Sequence, residues 1–74
     1  MKTVDYFIRR ARFNLCMNPE MESSARLALE DANKLANMGD YDSALSRAIK
    51  SLSYSVGIFG KDYKDAVNYQ ESRK

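Results

Sequence analysis

Histidine and tryptophan are missing from this chain, and cysteine and proline occur once each. Without histidine there is neither the ordinary general base of neutral pH nor the commonest metal ligand. The lone Cys16 excludes an internal disulfide, and a zinc site built from one thiolate and carboxylates would be unusual. No apolar run approaches the roughly 20 residues that a membrane span requires. With no apolar export segment either, the lone thiol points to a reducing, cytoplasmic setting. Glycine is scarce, and Gly57-x-x-Gly60-Lys61 lacks the spacing of a phosphate-binding loop and reads as a helix terminator. The expectation is a chain with no cofactor, no metal, no membrane partner and no small-molecule substrate.

What is present is 74 residues, enough for a single domain spanning 1–74. A domain so short buries only about 60% of its unfolded surface. Helix packing, self-association or a partner must supply its stability. The formal charge of +2 is too small to argue for nucleic acid, but it is unevenly spread. Residues 1–17 carry four cations against one anion, residues 18–45 two against six, and residues 46–74 six against three.

The spacing of apolar residues predicts an all-α fold, a three-helix bundle built on an antiparallel hairpin, with a possible short fourth helix. In 3–17, Val4, Phe7, Ile8, Ala11 and Leu15 form one stripe, with Thr3 as a cap. In 19–38, Asn18 and Pro19 read as cap and first helical residue. The stripe is Met21, Ala25, Ala28, Leu29, Ala32, Leu35 and Ala36, and Gly39 closes the helix. In 41–57, Asp40 caps a helix whose stripe is Tyr41, Ala44, Leu45, Ala48, Ile49, Leu52 and Val56, with Tyr41 covering the turn. A connection of about two residues makes these neighbours antiparallel. After the glycines of 57-GIFG-60, which suggest a frayed end or a bend, Asp62 caps a weaker helix near 62–70 presenting Tyr63, Ala66 and Val67.

Gly39-Asp40-Tyr41-x-x-Ala44 resembles the turn of a tetratricopeptide-type helical hairpin, with Ala32 and Leu35 at its small and bulky positions and Ser51 at a usual alanine. The resemblance covers 28–56. It departs where the motif has tryptophan (Ala28), an aromatic (Ala48) and proline (Val56), and no second copy follows. The same pattern is similar to small archaeal helical proteins of unknown function, and to helical domains of the HEPN class. Ribonucleases of that class use an arginine–histidine motif, which the absence of histidine removes here.

Among candidate sites, catalysis is the weakest. Glu30 and Asp31 are adjacent, so they point about 100° apart on a helix rather than into one pocket. Glu30 instead pairs in favourable register with Lys34. Cys16 reads as a small half-buried residue more readily than as a thiol activated by Arg12. Ser43, Ser46, Ser51, Ser53 and Ser55 could fill helix contacts, face water or accept phosphate. The best surface is Tyr6, Arg9, Arg10, Phe13 and Met17, which gives the first helix a second apolar face flanked by cations. Such residues are enriched at protein interfaces. The same set could also stack bases and contact phosphates, or lay arginine stems over a core edge. The expected function is non-enzymatic: a small adaptor or regulatory module that self-associates or docks on another protein through these five residues. The alternative is a nucleic-acid-binding protein using Arg9, Arg10 and Arg12, with Lys50, Lys61 and Lys64.

Overall fold

The structure, a computed structural model, describes residues 3–56 and 60–73. Four helices follow one another: α1 (Val4–Phe13), α2 (Glu22–Asn37), α3 (Tyr41–Val56) and α4 (Lys61–Ser72), with no strand among the described residues. The fold is all-α. It differs from a three-helix bundle because α4, 12 residues long, packs on both α1 and α3. The stretch 57–59, read from sequence as a fraying or bending point, lies outside the described residues.

α1 starts as expected, with the Thr3 hydroxyl accepting from the Tyr6 N–H at 3.3 Å. It stops four residues earlier than the apolar pattern suggested, and the reason is local. Asn14 leaves the helical region, and its amide Nδ2 donates to the Arg10 carbonyl at 2.7 Å, the competition with the backbone that makes asparagine a poor helix former. Two single 3-10 turns follow, Leu15–Met17 and Pro19–Met21, joined at Asn18. Asn18 is extended (φ −138°, ψ 90°), as a residue before proline must tend to be. Its side chain caps nothing and donates instead to the Tyr54 carbonyl at 3.3 Å. Pro19 does open a helical turn, but that turn is 3-10, and α2 begins at Glu22 directly after it.

Between α2 and α3 the turn is as the sequence demands. Gly39 holds φ +84°, the left-handed conformation. The Asp40 N–H donates to Leu35 O at 2.9 Å and the Gly39 N–H to Ala36 O at 3.0 Å, the two bonds of a Schellman motif. Asp40 then caps α3, its Oδ1 accepting from the Ser43 N–H at 3.3 Å. Tyr41 does not cover this turn: it is 48% exposed and borders a hollow shared with Val4, Asp5, Tyr69 and Arg73, on the side of α1 and α4.

The helices alternate in direction. Asn18 lies opposite Tyr54 and Ala25 opposite Ser51, so α2 and α3 are antiparallel. Gln70 lies opposite Ser46 and Arg73 opposite Asp42, so α4 runs against α3. Phe7, Leu45 and Leu52 are the largest fully buried apolar side chains. Around them Ala11, Ala25, Ala32, Ala44, Ala48 and Ala66 are sealed from solvent, the small residues that let helix backbones come close. Phe7 is further boxed by rings, Tyr6 edge-on at 5.1 Å and Tyr69 tilted at 5.4 Å.

Candidate functional site

The C-terminal end of α1 meets the N-terminal end of α4, and three polar side chains converge there. Asp62 Oδ2 accepts from Arg10 Nε at 3.1 Å, Arg10 Nη2 at 2.9 Å and Asn14 Nδ2 at 2.9 Å. The placement also suits both helix dipoles, a cation in the last turn of α1 and an anion in the first turn of α4. Burial pushes the Asp62 carboxyl upward, but the hydrogen bonds from Arg10 and Asn14 outweigh it and hold the group below its ordinary range. The Arg10 guanidinium is raised in turn, mainly by its bond to Asp62. A carboxylate held this way stays ionised at neutral pH and is a poor proton acceptor. Its chemistry is that of a tie between helices, not of a base. Asp62 therefore does not cap its own helix; Gly60 occupies the cap position.

The five residues singled out for binding divide into two groups. Tyr6 packs partly buried against the core, and Arg10 is committed to Asp62. Arg9 is exposed, Phe13 is 61% exposed and Met17 is 55% exposed. Arg10 also lies over the Phe13 ring, 4.7 Å from its centroid, and so links the groups. The second apolar face of α1 is thus only half covered by the fold. Met17 stands on the 3-10 turn past the helix, not on the helical face that the spacing implied. Cys16, in that same turn, is exposed rather than half-buried, because the chain has left the helix by then.

Of the other basic residues, Lys61 adjoins Asp62 at the start of α4, whereas Lys50 lies in a groove between α2 and α3, with Arg47. The proposed cations therefore do not form one continuous set. Among the described residues α2 forms an ion pair between Arg26 and Glu22 at 3.0 Å and none between Glu30 and Lys34. The serines divide by position: Ser51 and Ser55 are buried and donate to the Ala25 and Ser51 carbonyls at 2.8 Å, Ser53 is half-buried and donates to the Lys50 carbonyl at 2.7 Å, and Ser43 and Ser46 are exposed. Sequence reasoning missed Asn14 and Arg73. Arg73 donates to Asp42 at 2.7 Å and to the Tyr69 hydroxyl at 3.3 Å, tying the end of α4 to the start of α3. The signal for both was faint: polar residues at helix ends whose partners are distant in the chain.

Among the described residues no cluster could hold a metal ion, and no helix is long and apolar enough to cross a membrane. Compared with known proteins, the chain matches no family model, no curated protein and no solved structure.

Proposed function

We propose that this chain is a non-enzymatic interaction module, a small adaptor or regulator that docks a protein partner on the end of α1. The observation that carries the reading is the pair Phe13 and Met17, large apolar side chains left in solvent beside exposed Arg9 and the stacked Arg10. Aromatic, methionine and arginine side chains together are the composition of interface centres. Arg10 is held in place by Asp62 before any partner arrives, which lowers the entropy lost on docking. The resemblance of residues 28–56 to a tetratricopeptide-type hairpin is in keeping with this reading, and an exposed lone thiol at Cys16 suits a reducing cytoplasm. Truncating Phe13 to alanine should weaken partner binding by about 2 kcal/mol if the ring is a hot spot.

The test is a photo-cross-linking amino acid placed at position 13 of the full chain in its native cells. A protein adduct, a second copy of the chain included, supports the module and identifies what it holds. A nuclease-sensitive adduct would favour the nucleic-acid reading instead, for which Arg9 and Arg12 are exposed. Absence of any adduct, with the labelled chain folded, rejects the patch.

A further inference from the structure

The hairpin has an outer side, and the residues on it are arranged in a way that the α1 patch does not use. Along the seam between α2 and α3 runs an open depression of about 180 Å³ whose α2 wall carries Leu27 and Asp31 and whose α3 wall carries Arg47, Lys50 and Tyr54. It continues past Arg47 and Lys50 into a second depression of about 470 Å³ that reaches Leu35. Leu27 is 64% exposed, more than Phe13. Asp31, Arg47 and Lys50 are all exposed, and none of them takes part in the ion pairs formed among the described residues. Anion and cations thus face the same groove from opposite walls without meeting.

We propose that this groove is an interface between two copies of the chain, related by a two-fold axis running along the groove. That axis lays α2 of each copy over α3 of the other. Asp31 of one copy then meets Arg47 and Lys50 of the second, and Leu27 meets Tyr54, and every contact is made twice, as an isologous interface requires. The alternative two-fold, lying across the groove, would set α2 on α2 and α3 on α3, so that each wall faced its own sign of charge, which like-charge repulsion disfavours. The charge pattern therefore chooses the axis along the groove. The groove is self-complementary because its two walls carry opposite signs, and an all-acidic or all-basic partner would leave one wall unmatched.

Light scattering on the full chain tests this, with circular dichroism to confirm that each variant is folded. The wild type should have twice the chain mass, Leu27→Asp the mass of one chain, and Phe13→Glu the wild-type value. The decisive step is a charge exchange. Asp31→Arg, and separately the double variant Arg47→Glu/Lys50→Glu, should each be monomeric, since each meets like charge in its own homodimer. Mixed together, they should form a heterodimer of twice the chain mass, in which both sets of contacts are of opposite sign. A monomeric wild type at the highest soluble concentration overturns the proposal, and so does a mixture that stays monomeric. Loss of the dimer in Phe13→Glu but not in Leu27→Asp would also overturn it, assigning self-association to the α1 patch.

Discussion

Arg10 grips Asp62 through two of its nitrogens on a single oxygen, Oδ2, at 3.1 and 2.9 Å, and these residues are 52 positions apart in the chain. The pair ties the start of α4 to the end of α1, on a helix whose one fully buried residue among those described is Ala66, with Tyr63 and Tyr69 half-buried against the core. Because the folded state holds the Asp62 carboxyl below its ordinary range, the folded chain binds a proton there less readily than the unfolded chain does. The stabilisation is therefore fully present above the unfolded carboxyl range near pH 4 and is lost as pH falls through the lower folded value. Thermal melts from pH 7 down to pH 2 should show Tm falling on the acid side. Asp62→Asn should remove the part of that fall due to this group and cost about 1–2 kcal/mol at pH 7, a figure reduced by the partial exposure of Arg10. An unchanged acid limb in the variant would refute the assignment.

Ser51 donates its hydroxyl to the Ala25 carbonyl at 2.8 Å, inside the most extensive helix–helix contact among the described residues. The site accepts a hydroxyl but little more. Ser51→Ala should cost about 1 kcal/mol for the lost hydrogen bond, whereas Ser51→Leu should cost more, about 1–3 kcal/mol, by forcing α2 and α3 apart. Urea unfolding of the three chains orders them; a leucine variant as stable as the alanine one would mean that the helices are not in close contact there.

The all-α fold and much of the core stripes were legible in the sequence because helical periodicity records which face is buried, although Tyr41, placed in the α3 stripe, is exposed. Val4, Phe7, Ile8, Ala11 and Leu15 were all found inside, though Leu15 stands on a 3-10 turn and not on the helix. The stop at Asn14 was hidden, since it depends on an amide competing for one carbonyl. So was the partner of Asn18: its extended backbone suits a cap and a residue before proline alike, but its amide reaches the Tyr54 carbonyl on another helix instead of capping its own. The candidate patch was legible as composition. That Arg10 belongs to the fold and Phe13 to the surface was not, because the partner of Arg10 lies on a helix that periodicity barely marked.

Gly39 holds φ +84° with no atom within 4 Å of the position a Cβ would take. The need for glycine is thus one of backbone conformation alone, not of space. Gly39→Ala should destabilise by about 1 kcal/mol, the penalty of a left-handed L-residue. Gly39→Asn should cost less. A D-alanine placed there by chemical synthesis should stabilise by about 0.4–1 kcal/mol, since it fits the native turn and restricts the unfolded chain. Destabilisation by D-alanine would show that something in the turn does need the space.

Two phenylalanines on one short helix provide the sharpest contrast. Phe7 is sealed between Tyr6 and Tyr69, whereas Phe13, six residues later, is 61% exposed under Arg10. Phe7→Ala removes a ring from a close-packed interior and should cost about 3–5 kcal/mol, most of the stability of so small a domain. A cooperative melt should be lost or shifted far down. Phe13→Ala should change stability by no more than about 1 kcal/mol, the worth of an exposed cation–π contact, while leaving the Arg10–Asp62 pair intact. Measured by urea unfolding, a large effect at Phe13 would mean that the ring is covered in the folded chain, and the patch proposed for a partner would then be part of the core.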